Sequence, residues 1–297
     1  MKNLRKICVV TGTRADYGLL TPLLNEIKND KDLELQLVVT GMHLSPEFGS
    51  TYKEIEKEFK IDRKIEILLS SDSSVGVSKA MGLANISFSE IFQELEPDIL
   101  VILGDRFEIF SAASTAMVLR IPIAHLSGGE LTEGVIDDSI RHSITKMSHL
   151  HFVATQEYEN RVIQLGENPN RVYNFGESGL DNIINLELLS KDDFEKSINF
   201  ILDKQSLLIT YHSTTLDEVE KVEKDFKNIL EVLDELESTS LIFTKANSDE
   251  GGRLINDMIN EFLKTRSEKA IVFTSLGQLR YLSALQYVDA VFGNTSS

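Results

Sequence analysis

The residues best equipped for chemistry stand directly after apolar runs. Ile99-Leu100-Val101-Ile102-Leu103 leads into Gly104-Asp105-Arg106-Phe107-Glu108, which sets an acid and a base at the end of a strand. Asp105 there suits a general base, with Arg106 close to a ligand. An Asp just ahead of a helix equally well caps free N–H groups. Ile123-Ala124-His125 leads into Ser127-Gly128-Gly129-Glu130, whose two glycines allow an irregular loop that presents Glu130 inward. Asp137, Ile140 and Arg141 follow at i, i+3 and i+4 spacing, so one helix face carries an Asp–Arg pair. Pairs of this kind are also ordinary surface features worth little energy.

Three further clusters repeat the pattern. Cys8-Val9-Val10 runs into Thr11-Gly12-Thr13-Arg14-Ala15-Asp16-Tyr17-Gly18, a strand-to-helix turn in which Arg14 can pair with phosphate. That turn has neither the G-x-G-x-x-G spacing of a dinucleotide site nor the Gly-Lys-Thr of a P-loop. Tyr211-His212-Ser213-Thr214 puts His212 beyond another strand, where an imidazole meets a phosphate or a leaving group. Val291-Phe292 runs into Gly293-Asn294-Thr295-Ser296-Ser297, a turn that should feed a helix whose free N–H groups cradle phosphate. His149 and His151 share one side of a strand, but no third ligand has metal-site spacing, so they read as structural.

These clusters need strands to carry them. Short apolar runs alternate with helical patterns from end to end, which predicts a parallel, doubly wound α/β sheet. In such sheets ligands bind beyond the carboxyl ends of the strands, where this chain places its Arg, Asp, Glu and His residues. Leu19, Leu20, Leu23, Leu24 and Ile27 form a helical stripe, with Pro22 expected in a first turn. The stretch from Gly176 to Lys204 is polar and helical without a clear strand. It divides the chain into an N-terminal Rossmann-like domain, residues 1–180, and a second at 181–297 that breaks off after its last strand. A longer native chain is expected from that ending.

The bulk properties narrow the partners. A length of 297 residues suits two cores, and a formal charge of −17 disfavours nucleic acid and anionic membrane. Any anionic ligand must therefore meet a local cluster of positive groups. Cys8 is the single cysteine, so an intrachain disulfide and a thiolate metal site are both excluded. No run approaches the roughly 20 apolar residues of a membrane span, and the short N-terminal apolar run is not expected to be a signal peptide. A cytoplasmic, soluble protein is expected.

Taken in order, Gly12-Thr13-Arg14-Ala15-Asp16-Tyr17, Gly104-Asp105-Arg106, Ser127-Gly128-Gly129-Glu130, Asp137-Asp138-Ser139-Ile140-Arg141-His142, His212 and Gly293-Asn294-Thr295-Ser296 resemble one family. It is the UDP-N-acetylglucosamine 2-epimerases, in their hydrolysing, sialic-acid-pathway branch. The non-hydrolysing branch differs, with Pro-Glu after Arg in the first motif and Glu-Ala-Gly-Leu-Arg in the third. The resemblance implies two Rossmann-like domains facing across a cleft in the GT-B manner, with UDP held by the second domain and the sugar facing the first. It implies Asp105, Glu130, Asp137 and His212 as catalytic groups. Arg14, Asp16, His43, Arg106, Arg141, Asn294, Thr295 and Ser296 are then the substrate-binding residues. The implied reaction turns UDP-N-acetylglucosamine into N-acetylmannosamine and UDP through a glycal, without metal or redox cofactor, in a homo-oligomer, a dimer or tetramer. The same chemistry on UDP-2,4-diacetamido-2,4,6-trideoxyglucose, for legionaminic acid, is the nearest alternative. A GT-B glycosyltransferase and an inactive nucleotide-sugar-binding fragment are the others.

Overall fold

The alternating apolar residues of the first strand already decide the layering. In the computed structural model, which describes residues 4–71, 73–132, 135–212, 219–247 and 251–294, β1 (Arg5–Thr11) sends Cys8 and Val10 to one face and Ile7 and Val9 to the other. All four are buried, because helices cover both faces, the arrangement a parallel sheet requires. Burial pushes the Cys8 thiol pKa up, so the side chain behaves as a small apolar one.

The chain continues through α1 (Arg14–Asn29), β2 (Leu33–Thr40), α2 (Tyr52–Glu58), β3 (Arg63–Ile65), α3 (Ser74–Leu95), β4 (Ile99–Leu103) and α4 (Phe107–Val118). It then forms β5 (Ile123–Leu126), α5 (Asp137–Met147), β6 (Leu150–Val153), α6 (Gln156–Gln164), β7 (Val172–Asn174) and α7 (Gly179–Asn185). The seven strands are all parallel in the order β3-β2-β1-β4-β5-β6-β7. Val38, Leu100 and Ile102 join Cys8 and Val10 against α3 and α4, where Phe88 and Phe92 stack at 5.3 Å. Burying each of those rings stabilises the layer by roughly 1.5–3 kcal/mol. Leu37, Val39, Val101 and Leu103 join the opposite core with Leu20, Leu24 and Ile27 of α1.

A second unit holds α8 (Lys191–Ile198), β8 (Gln205–Thr210), α9 (Val219–Glu235), β9 (Thr239–Thr244), α10 (Gly252–Leu263), β10 (Ala270–Phe273), α11 (Gly277–Ala284) and β11 (Ala290–Gly293). Its parallel sheet runs β10-β9-β8-β11, the same crossover pattern that opens the first sheet. Ile209, Leu241 and Phe243 meet α9 and α10, while Leu208 and Ile242 meet α8 and α11. The fold is thus α/β with two Rossmann-like, doubly wound sheets. The first unit comprises Met1–Ser70 and Val75–Ile184; the second comprises Ser71–Ser74 and Asn185–Ser297. None of the described helices is long and apolar enough to cross a membrane.

Pro22 departs from expectation. It lies well inside α1, because a capping box at Thr13 and Asp16 starts the helix about one and a half turns earlier than the leucine stripe suggested. A proline at 22 leaves the carbonyl of residue 18 without its intrahelical donor. Asn182 of α7, itself buried, supplies one: its Nδ2 donates to the Gly18 carbonyl at 2.8 Å.

Candidate active site

Because β5, β4 and β1 are adjacent and parallel, the loops after them meet at one edge of the sheet. The loop after β1 is tied down by Asp16. Its Oδ2 accepts the Gly12 N–H at 2.8 Å and its Oδ1 the Thr13 N–H at 2.7 Å, and Thr13 Oγ1 also donates to Oδ1. Asp16 is buried, so the carboxylate expected on substrate holds the turn that presents Arg14. Burial pulls the Arg14 guanidinium down to about 10, with Glu54 pushing it back up. Gly12 is closely covered: a Cβ there would stand 2.3 Å from Glu108 Oε1, so the buried Glu108 side chain would have to move.

Glu108, in the first turn of α4, is wholly buried beneath that loop. Arg106 Nε donates to its Oε1 at 2.8 Å, and its Oε2 is buried without a partner. Burial pushes the carboxyl above its usual range; Arg106 opposes the shift and Asp16 adds to it.

His43 follows β2 and has no exposed surface. Its Nε2 lies 3.0 Å from Thr11 Oγ1 and its Nδ1 2.7 Å from Thr51 Oγ1. Burial pulls its pKa down to about 4, with Asp16 opposing and Arg14 reinforcing. The resemblance placed His43 against the sugar. Both ring nitrogens instead serve the fold, joining the ends of β1 and β2 to the segment before α2.

Asp105 is not the cap of α4. Arg106 occupies that position without a side-chain capping bond, and the Asp105 carboxylate is ion-paired with Arg141 Nη2. Helical spacing announced Asp137, one turn away, as a neighbour of Arg141; the Asp105 contact reaches 36 residues back along the chain. Arg141 Nη1 also donates to Thr132 Oγ1 at 3.1 Å, and the Thr132 N–H donates to Asp138 Oδ1 at 3.2 Å. Asp137 opens α5, half-buried and one turn ahead of Arg141.

Glu130 completes the group. Burial raises its carboxyl pKa; the Arg141 guanidinium draws it back, and Glu177 and Asp105 push it up again. Asp105, Glu130 and Arg141 therefore lie within electrostatic reach of one another. The loop that carries Glu130 is clamped by α6: Arg161 Nη1 donates to the Gly129 carbonyl. Gly129 has φ +81°, and a Cβ there would meet the Tyr158 carbonyl oxygen at 2.5 Å, so no other residue fits.

In the second unit, Asn294 grips the backbone of His212 from both sides. Its Oδ1 accepts the His212 N–H at 2.8 Å and its Nδ2 donates to the His212 carbonyl at 2.8 Å, joining the ends of β8 and β11. The Asn247 N–H donates to His212 Nδ1 at 3.3 Å, so a neutral ring carries its proton on Nε2. Thr295 and Ser296 lie outside the described residues.

Sequence reasoning did not single out Thr132, Thr145 or Glu177 in the first unit, or Asn247 in the second, because no spacing announces their contacts. His149 and His151 are structural: His149 Nδ1 accepts the Ile123 N–H at 3.3 Å, and buried His151 meets Glu167 Oε2 at 3.2 Å. Among the described residues no cluster of His, Cys, Asp and Glu can hold a metal.

Residues 25–297 match the family described as UDP-N-acetylglucosamine 2-epimerase. A Campylobacter jejuni protein named GDP/UDP-N,N'-diacetylbacillosamine 2-epimerase (hydrolyzing) is 53% identical over 293 residues, covering 99% of this chain and 76% of its own. A Legionella pneumophila UDP-N,N'-diacetylbacillosamine 2-epimerase (hydrolyzing) is 36% identical over 99% of this chain and 77% of its own. The crystal structure of UDP-GlcNAc 2-epimerase from Neisseria meningitidis bound to UDP-GlcNAc superposes with a TM-score of 0.80 at 17% identity, over 98% of this chain and 78% of its own, a likeness of fold. With the family match running nearly end to end and relatives this similar, the chain belongs to the UDP-N-acetylglucosamine 2-epimerase family, in its hydrolysing branch.

Proposed function

We propose that this hydrolysing 2-epimerase acts on UDP-2,4-diacetamido-2,4,6-trideoxyglucose, the nucleotide-linked N,N'-diacetylbacillosamine, and releases the free 2-epimer and UDP. The observation that carries the substrate is the 53% identity to a relative named for it. UDP-N-acetylglucosamine, the first substrate suggested by the resemblance, becomes the comparison.

The sugar C2 proton is not beside a carbonyl, so its removal must be coupled to departure of the nucleotide. Asp105, held by Arg141, takes that proton; the C1–O bond to the diphosphate breaks, and a C1–C2 double bond forms. Water then delivers hydroxide to C1, and a proton reaches C2 from the opposite face. Glu130 supplies that proton, since burial lets its carboxyl keep one to higher pH. Asp137 is the third acid, one turn from Arg141. Arg14 and Arg106 give the anionic substrate positive partners on a chain of net charge −17. By the family resemblance, His212, Thr295 and Ser296 meet the diphosphate, His212 through its Nε2–H, while Asn294 braces the His212 backbone.

Purified protein incubated in D₂O with the two UDP-sugars, and with the GDP form of the diacetamido sugar, tests this. NMR of the products and nucleotide release are followed together. The expected result is deuterium at C2 and a kcat/KM at least about 100-fold higher for the diacetamido sugar, because a site that binds the C4 amide rejects a hydroxyl there. Equal or better turnover of UDP-N-acetylglucosamine refutes the substrate. Product without deuterium at C2 refutes the elimination and favours glycosyl transfer.

A further inference from the structure

His125 lies in the middle of the group just described and is assigned to none of its chemistry. It sits in β5, with no exposed surface, facing His151 across the parallel register. Its Nε2 is 2.8 Å from the carbonyl of Gly104, the residue immediately before Asp105. A carbonyl only accepts, so Nε2 carries the ring proton and Nδ1 is an acceptor. Nδ1 is turned to Thr145 Oγ1 at 3.3 Å, and the single proton of that hydroxyl is shared between Nδ1 and the Arg141 carbonyl, 3.1 Å away and one turn earlier on α5. Thr145 has no exposed surface either. The third neighbour is Gly128: a Cβ there would stand 3.2 Å from both His125 Nδ1 and Thr145 Oγ1. One buried imidazole therefore touches the backbone before Asp105, the helix turn carrying Arg141, and the loop leading to Glu130.

We propose that His125 is a positioning residue, the buried strut that fixes the Asp105, Glu130 and Arg141 segments relative to one another through the Gly104 carbonyl and Thr145. The proposal rests on the hydrolysing-epimerase reading of these groups. Gly104 is held to β5 twice, since its N–H also donates to the Leu126 carbonyl at 3.0 Å. Its carbonyl has His125 as the partner that sets the peptide plane from which Asp105 departs. Arg141 is constrained at the other end by Thr145. A rotation of either segment moves the carboxylate and guanidinium apart without emptying the site, which is a loss of geometry and not of binding groups.

Two substitutions separate reach from polarity. His125→Gln places an amide N–H near the Nε2 position; His125→Asn ends one atom short, near Nδ1. With the diacetamido UDP-sugar, the Gln variant is expected to keep kcat within about threefold, and the Asn variant to lose about 100-fold in kcat with KM changed less than about threefold. Equal kcat for the two folded variants overturns the proposal. A crystal structure of His125→Asn is the readout that needs no substrate: Asp105 is expected to leave Arg141, and an unmoved pair overturns the proposal. If the Asn variant does not fold, Thr145→Val replaces it, with kcat expected about tenfold lower at unchanged KM, and unchanged kcat overturning the strut. Wild-type protein that releases no nucleotide from any of the sugars would sink the catalytic reading alone and leave the crystallographic comparison to judge His125.

Discussion

Replacing Asp105 with Asn removes one charge from a pair in which the Arg141 side chain is 5% exposed and the Asp105 side chain 19%. Stripping a buried ion of its partner costs about 3–5 kcal/mol. The amide oxygen of Asn still accepts from Nη2, and Arg141 keeps Thr132 on Nη1 at 3.1 Å. Arg141 Nε is already buried without a partner, so the guanidinium has little else to turn to. A loss of about 2 kcal/mol is the balance, lowering Tm by about 4–8 °C for a cooperative unit of this size. Turnover should fall much further, by about 10³-fold, because the proton acceptor itself is gone. Thermal melts read the first effect and nucleotide release the second. Adding Arg141→Met to Asp105→Asn should restore part of the stability and none of the activity, since the stranded charge is removed with its partner. Turnover within about tenfold of wild type would refute Asp105 as the acceptor. An unchanged Tm would refute the ion-pair reasoning.

Two other expectations concern pH. Glu130 has a carboxyl raised above its ordinary 4.5 by burial, so its protonated form is favoured in the folded state, and its contribution to stability is lost as pH rises through the raised value. As proton donor it should impose a fall in kcat over the same window. Glu130→Gln is expected to lower kcat by at least about 100-fold and to remove that fall, and a variant profile parallel to wild type would count against the assignment. His43 moves the opposite way: with its pKa at about 4 in the fold against 6.5 free, its stability contribution is complete above 6.5 and lost as pH drops towards 4. His43→Gln should therefore flatten the decline in urea-melt stability between pH 6.5 and 4, and an unaltered slope would contradict a neutral, buried ring.

What could be read in advance followed the reach of the physics involved. Strands such as Leu100 to Leu103 announce themselves, because a fully covered parallel strand is a continuous apolar run and its polar end must be a loop. β3 and β7, three residues each, bury too little side chain to make such a signal. The helical spacing of Asp137 and Arg141 was legible, and it suggested a local pair. The Asp105–Arg141 contact depends on β4 and β5 lying side by side, which only the folded sheet provides. Asp16, His43 and Asn294 drew attention as polar residues beside a ligand edge. Their hydrogen bonds are spent on Gly12, Thr11, Thr51 and the His212 backbone, and residue type cannot tell a group that meets a ligand from one that braces the loop beneath it. His125 shows the converse, a histidine inside an apolar strand that looks like filler until its two nitrogens are traced.

The proline in α1 turns a flaw into a docking point. A regular helix offers its neighbours no backbone acceptor in mid-span, whereas this one leaves the Gly18 oxygen open for the Asn182 amide, while Gly179 lets α7 approach Leu19 so closely that a Cβ would lie 2.8 Å from Leu19 Cδ2. Positions 22 and 182 are thereby answerable to each other. An alanine at 22 would mend the helix and compete with the amide; an apolar residue at 182 would take that donor away. Thermostabilising programmes that replace mid-helix prolines on principle would, in this protein, loosen the last turn of the first unit.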